Sequence, residues 1–332
     1  MPKTVEYSVF SGSESGDILT ETVRRTIQSN EALVEVTHAG LCGADKLSKT
    51  KNIPLGHHGA GIVRDVGCAV QYVKIGDRVG FDGSQIPCGN CDYCIGGKEQ
   101  YCAQSEHFEK VGSFATHAVW HENVLVKLPE GVESKYAAPL MCGGAIMWEV
   151  LTANDVKPGD RVGIYGIGGL GHVAILMSSA LGCDVVVFSS SESKRHDAMA
   201  TGAKEFHVTH DIVPGAPVAP VQHLFWCRDR PPDFSKLISQ VSCSGTIYIL
   251  AVGLEAVSVP MQLVVKNGIR IQGCSNASRK TMRKMLQFVR LHDIRPWIMT
   301  WPMTADGIQD AFKALNERKM RYRGVLVGEC GD

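Results

Sequence analysis

The sequence has no excess of either charge: 34 lysines and arginines face 34 aspartates and glutamates in 332 residues, a formal net charge of zero. Without a basic surplus, nothing recruits nucleic acid or an anionic membrane surface. No uninterrupted apolar run approaches the roughly 20 residues that a membrane-spanning helix needs. The opening Met1-Pro2-Lys3-Thr4-Val5-Glu6 has no basic segment followed by an apolar one, so no secretory signal is read there. The closing Glu329-Cys330-Gly331-Asp332 carries no recognised address. Internal repeats and low-complexity segments are also missing. These absences leave a cytoplasmic globular enzyme as the natural expectation.

What is present is more specific. The length suggests two domains, each large enough for its own core. Apolar residues at 44% and charged residues at 20% are ordinary for a globular protein, whereas 35 glycines point to many tight turns and close backbone approaches. Twelve cysteines are many for a chain with no export signal. A disulfide framework would need an oxidising compartment, so metal binding or catalysis is the expected use of clustered cysteine.

The first part of the chain reads as β-rich, with short β-branched runs at 32–36, 61–66 and 78–81. From about Gly143 strand and helix alternate: strand 161–165, helix 170–181, strand 184–188, helix 192–199. That alternation implies βαβ units and an α/β fold with a parallel sheet, continued by strands at 205–208, 223–226, 246–251 and 269–273. Three prolines within 213–220 forbid a regular helix there, so one crossover is expected to be an extended loop. Amphipathic helices are expected at 278–289 and 305–317.

Cys88, Cys91, Cys94 and Cys102 have the spacing C-x2-C-x2-C-x7-C, with Gly89, Asn90, Gly96 and Gly97 between them. Short intervals of small residues let a loop close four thiolates around one tetrahedral ion. Zinc suits soft sulfur ligands and closed tetrahedral geometry, and an iron–sulfur cluster is the competing metal. Four protein ligands leave no position for substrate, so the site reads as structural.

Gly166-Ile167-Gly168-Gly169-Leu170-Gly171 fits G-x-G-x-x-G directly after a strand and at the start of a helix. That context gives a tight turn, close approach of a pyrophosphate, and a helix N-terminus facing its charge. The next strand ends in Ser189-Ser190-Ser191, followed by Lys194 and Arg195, with no acid at the position that would hold an NAD ribose. Hydroxyls with two cations suit a 2′-phosphate, so NADP(H) is the expected cofactor. Solvated basic residues on a capped helix are the plain alternative.

Three further segments hold Cys42 in Gly40-Leu41-Cys42-Gly43-Ala44-Asp45, His57 in Gly56-His57-His58-Gly59, and Cys142 in Pro139-Leu140-Met141-Cys142-Gly143-Gly144. Together with the four-cysteine lobe, the glycine motif and a closing Arg321-Tyr322-Arg323, in that order, they resemble the medium-chain zinc-dependent alcohol dehydrogenases over nearly the whole chain. The serine-rich strand end and the Arg-Tyr-Arg segment are similar to the cinnamyl alcohol dehydrogenase group. The resemblance implies a GroES-like catalytic domain of residues 1–142 and 280–332, and a Rossmann domain with a doubly wound parallel sheet at 143–279. It implies two zinc ions per chain, the catalytic one on Cys42, His57 and Cys142, with Asp45 orienting the histidine. It also implies a homodimer, and hydride exchange between NADP(H) and an aldehyde or ketone.

The chain departs from the family at four places. The relay hydroxyl two residues after the first cysteine is replaced by Ala44, and the glutamate usual after the zinc histidine by His58. His58 is compatible with a neutral zinc ligand, a proton shuttle, or a packed ring. The stretches between Ser48 and His58 and between Cys102 and Phe114 are short for the family, which leads us to expect a reshaped pocket. Since hydride addition to an iminium carbon or an activated C=C needs no proton relay to an alkoxide, reduction of either is the alternative activity.

Overall fold

The computed structural model describes residues 3–82, 86–105, 111–209, 218–230, 233–250, 256–274 and 276–331. Chain contacts divide the protein into two units, one of residues 1–145 with 277–332 and one of residues 146–276.

The first unit contains β1 (Thr4–Ser11), β2 (Leu19–Thr26), β3 (Glu31–Leu41), β4 (His58–Val66), β5 (Arg78–Asp82), β6 (His117–His121) and β7 (Leu125–Lys127). The second contains β8 (Arg161–Tyr165), β9 (Asp184–Ser189), β10 (Glu205–Val208), β11 (Val221–Trp226), β12 (Val241–Ile249) and β13 (Arg270–Gly273). The chain then returns to the first unit with β14 (Ile298–Pro302) and β15 (Arg323–Val327).

The main sheet of the first unit has the order β14-β15-β3-β4-β5-β7, with β6 also pairing β3, while β1 and β2 form a separate ladder. β3 is its spine, and ten of its 11 residues are buried. Two register shifts in the β3–β4 pairing, at Leu33/Val34 and Val36/His38, bend the ladder as β-bulges do. Under the sheet, Phe81, Phe114, Trp120, Leu125 and Phe312 are fully buried in one core. Burying each such side chain contributes about 1.5–3 kcal/mol. This β-rich unit is the GroES-like domain that the family resemblance implied.

The second unit is a six-stranded sheet in the order β10-β9-β8-β11-β12-β13, and among the described residues all its pairings are parallel. It is the doubly wound sheet expected of a Rossmann domain. Val185, Val186, Val187 and Phe188 in β9 are all fully buried, as a strand covered on both faces requires. The helix Gly169–Leu181 follows β8 and ends at Gly182, whose φ of 93° is the left-handed stop that glycine adopts without strain. β12 begins at Val241, earlier than the run at 246–251 implied. Most of the proline-rich crossover expected at 213–220 lies outside the described residues. Among the described residues no helix is long and apolar enough to cross a membrane.

Candidate functional site

Cys42 directly follows the spine strand and caps the short turn Gly43–Asp45, and His57 lies just ahead of β4. Cys142 lies in the π-helical turn Leu140–Gly144, an irregularity common at functional sites. Folding brings the three together: one ligand atom from each of Cys42, His57 and Cys142 lies within 4.8 Å of the others. Asp45 is 3% exposed and holds two of them. It accepts from His57 Nδ1 at 2.9 Å and from the Cys42 backbone N–H at 2.7 Å. Fixing Nδ1 as the donor leaves Nε2 of His57 as the free ligand atom.

The three ligand groups and Asp45 are strongly coupled to one another. A hydrogen bond with Cys142 holds the Cys42 thiol well below its ordinary value, assisted by His57. The same contact, with burial, pushes Cys142 well up. Burial opposes the charged form of His57, but Asp45 and the two cysteines outweigh it and raise the imidazole well above its usual value. Burial raises Asp45. Two soft sulfurs, one imidazole nitrogen and an oriented carboxylate behind it are the donor set of a zinc ion with an open fourth position. The residues fit the metal.

His58 is not one of these three. Its ring is fully buried, 4.4 Å from the His57 ring centroid, and neither ring nitrogen has a hydrogen-bond partner among the described residues. Its Nε2 fills the space over Gly40, where a Cβ would overlap it. Burial, then the neighbouring His57 charge, keeps the ring neutral.

The sulfurs of Cys88, Cys91, Cys94 and Cys102 likewise all lie within 4.8 Å of one another. Sγ separations are 3.5 Å for Cys91–Cys94, 3.8 Å for Cys91–Cys102 and 4.0 Å for Cys88–Cys94, and all four are free thiols. The backbone N–H of Asn90 points at Cys88 Sγ, and that of Cys88 at Cys102 Sγ, each at 3.4 Å. Hydrogen bonds from Asn90 and Cys91 lower the Cys88 thiol to about 6, and burial with the Cys91 contact pushes Cys94 up to about 12. Four converging sulfurs in a short loop fit one tetrahedral ion.

In the second unit, Gly166 follows β8 with φ 97°, and Gly168 caps the helix Gly169–Leu181. A Cβ on Gly171 would overlap the Gly166 carbonyl, whereas the space over Gly168 is open. Leu170 is half-buried in the first helical turn. The turn thus has the bare backbone surface and helix N-terminus that a pyrophosphate requires. Ser189 is buried at the end of β9, its Oγ donating to the Ser191 carbonyl at 3.2 Å, while Ser190 is exposed. Ser191 Oγ caps the next turn by accepting from the Ser193 N–H at 3.3 Å. Lys194 reaches back to the glycine turn, its Nζ donating to the Ile167 carbonyl at 2.6 Å. Arg195 turns the other way, pairing with Glu192 and donating to the Phe206 carbonyl at 3.1 Å. The structure therefore gathers the serines and Lys194 beside the glycine motif and engages Arg195 elsewhere.

Arg323 was read in the sequence only as part of a family segment, yet it lies at the three-ligand site. It is 4% exposed, its guanidinium occupies the space where a Cβ of Gly143 would stand, and its charge acts on both Cys42 and His58. The available signal was the bare Gly143-Gly144 after Cys142, which admits a bulky neighbour.

Two family models match the chain: an alcohol dehydrogenase GroES-like domain over residues 28–130 and a zinc-binding dehydrogenase over residues 169–290. A probable cinnamyl alcohol dehydrogenase 1 of Oryza sativa subsp. japonica is 30% identical over 323 residues, covering 91% of this chain and 90% of that protein. An NADP-dependent alcohol dehydrogenase C 1 of Mycolicibacterium smegmatis is 28% identical over 341 residues, covering 96% and 97%. The solved structure of a cinnamyl alcohol dehydrogenase from Sorghum bicolor superposes with a TM-score of 0.90 at 26% identity, covering 98% of each chain.

Proposed function

The chain belongs to the zinc-dependent alcohol dehydrogenase family, and from that membership we propose that it transfers hydride reversibly between NADP(H) and an aldehyde or ketone of the cinnamyl type. The observation that carries the reading is the convergence of Cys42, His57 and Cys142 on one point, with Asp45 fixing the histidine from behind.

Cys42, His57 and Cys142 would hold the catalytic zinc, and Cys88, Cys91, Cys94 and Cys102 the structural one. When bound, the catalytic ion supplies a Lewis acid for the carbonyl oxygen and NADPH supplies the hydride. Gly166, Gly168, Gly169 and Gly171 would cradle the pyrophosphate, and Ser189, Ser190, Ser191 and Lys194 the 2′-phosphate. Arg195, engaged with Glu192, can join them only by giving up that pair. Asp45 keeps the His57 Nδ1 proton and so presents a neutral nitrogen to the ion. Ala44 has no hydroxyl, so proton exchange with the product oxygen must use another group or solvent. Packed and unpartnered, His58 serves as neutral filling beside the site. Reduction of an iminium or an activated C=C, the alternative that Ala44 raises, is not favoured by relatives that carry alcohol dehydrogenase names.

Self-association through the second unit is the reading we give to its edge: β13 is exposed along its length, its Ile271 at 40%, and Met261 and Val265 of the preceding helix are 60% and 76% exposed. Twelve free thiols suit the reducing cytoplasm.

Transfer of deuterium from NADPH labelled at the nicotinamide C4 to cinnamaldehyde tests the activity. Label on the carbinol carbon is expected. Label on the β-carbon with the aldehyde intact would replace carbonyl reduction by conjugate reduction.

A further inference from the structure

We propose that Arg228, which belongs to none of the motifs above, is a cofactor ligand whose guanidinium neutralises the pyrophosphate of the dinucleotide at the glycine turn. The proposal rests on the NADP(H) reading of that turn.

Arg228 stands just beyond Trp226, the last residue of β11, and is half-buried. Its aliphatic stem lies across Gly166, so that a Cβ there would overlap its Cγ and stand 3.3 Å from its Cδ. The guanidinium carbon is 6.0 Å from the ring centroid of Tyr165 and 5.8 Å from that of Trp226. Those two rings stack at 4.7 Å and close the carboxyl ends of β8 and β11. Both distances lie at the outer limit of a cation–π contact, so the rings guide the cation without saturating it. Among the described residues Arg228 makes no ion pair and no hydrogen bond, only its contacts with the two rings. Five N–H donors are therefore uncommitted.

The position in the sheet gives these donors a purpose. From β8 the chain runs outward to β9 and β10 on one side, and from β11 to β12 and β13 on the other. The β8–β11 seam is therefore the point where the winding reverses, and ligands of open parallel sheets bind in the crevice beyond the carboxyl ends of the strands at such a point. Arg228 overlies that crevice and the first glycine of the turn together. A helix N-terminus offers only about half a positive charge, against the two negative charges of a pyrophosphate. The 2′-phosphate reading, by contrast, belongs to the end of β9, on the far side of β8 from β11. Arg228 should thus support both NADPH and NADH, whereas Ser189, Ser190 and Lys194 should discriminate between them.

The test is a binding titration of the zinc-loaded, full-length protein with NADPH and, separately, NADH, at several salt concentrations. Arg228→Met keeps the stem over Gly166 and removes the charge. Loss of a charge-assisted contact is expected to raise Kd for both cofactors by a similar factor of about tenfold or more. Salt should also weaken binding less steeply than in the wild type, and Arg228→Lys should keep most of the affinity and the steeper salt slope. Unchanged affinities overturn the proposal, and a loss confined to NADPH moves Arg228 to the 2′-phosphate and overturns it equally. Matching losses in the Met and Lys variants with an unaltered salt slope make the residue a packing element and also overturn it. If Arg228→Met does not fold, Arg228→Gln is read by the same outcomes. A wild-type protein that binds neither cofactor refutes the underlying functional reading instead, so the two failures are distinguishable.

Discussion

Removing the Asp45 carboxylate deprives two groups at once: His57 loses the acceptor that fixes its tautomer, and the Cys42 backbone N–H loses its partner. Outer partners of this kind typically contribute about 10- to 100-fold in metal affinity. Asp45→Ala is therefore expected to weaken the catalytic zinc by that factor while the four-cysteine zinc stays bound. Competition with a chromophoric chelator reads both ions, and equal retention of both would remove Asp45 from its assigned role. At Ala44 the expectation runs the other way. Ala44→Ser restores a hydroxyl beside the site and should raise kcat for aldehyde reduction, by up to about 10²-fold if proton transfer limits the rate. No gain would show that protons already travel by a route independent of that position. At this scale the sequence was legible in patches. The four-cysteine cluster could be read from spacing alone, because its loop is local. Cys42, His57 and Cys142 needed the family pattern, since nothing short-range links a strand end to a turn 100 residues away. Arg323 and Arg228 escaped because each is defined by the glycine it covers, Gly143 or Gly166, and that contact exists only in the fold.

Among the elements, the amino ends of β8, β9 and β10 are tied by one side chain: Arg161 pairs with Asp184 and with Glu205. Hydrogen bonds from His207 and Arg161 hold the Glu205 carboxyl below its ordinary value. A depressed carboxyl stabilises the fold fully above its unfolded-state value and loses that contribution as pH falls through the folded one. Urea midpoints of the wild type should therefore fall on acidification below the usual glutamate range, and Glu205→Gln should show a shallower fall there. Parallel curves would mean that the triad is screened by solvent. The helix Gly169–Leu181 gives a second prediction. Because a Cβ at 171 would overlap the Gly166 carbonyl, Gly171→Ala must move the helix start from the turn. Dinucleotide affinity should fall by about tenfold or more, as losing one of several strong phosphate contacts implies, and the melting temperature should fall with it because the overlap is with backbone that cannot yield cheaply. Elements with a buried apolar run, such as β8 and β9, were evident in the sequence. β2 was not: Leu19–Thr26 is mostly exposed and polar, and only its ladder with β1 makes it a strand. β14 and β15 were absorbed into a segment read for its helices, since five-residue strands beside an amphipathic helix carry little periodic signal.

For the molecule as a whole, metal content is the most direct measure of the reading. Two zinc ions per chain are expected on elemental analysis of the purified protein, and one would leave either the three-ligand or the four-cysteine site without its ion. Extraction should proceed in order. A chelator at moderate concentration should take the ion with an open coordination position first, abolishing aldehyde reduction while the melting temperature changes little. Loss of the four-sulfur ion should then lower that temperature. The doubly wound unit was visible as a whole because alternation of strand and helix is a long-range pattern written in local residues. The other unit was visible mainly through its family likeness, because its sheet joins strands that are distant in the chain.

That discontinuity bears on how the protein is made. Leu41 pairs with Gly324 and His38 with Val327, so the sheet carrying Cys42 is completed only by a segment made after the whole of the second unit. The second unit, contiguous over 146–276, can be finished while the first still waits with the 38–41 end of β3 unpaired on the side that β15 will take. An open strand edge is an invitation to pair with a neighbouring chain. A nascent chain stalled before residue 323 would therefore carry a foldable nucleotide-binding half attached to an aggregation-prone one, and expression yield should depend more sharply on an intact β15 than on any other strand of its length.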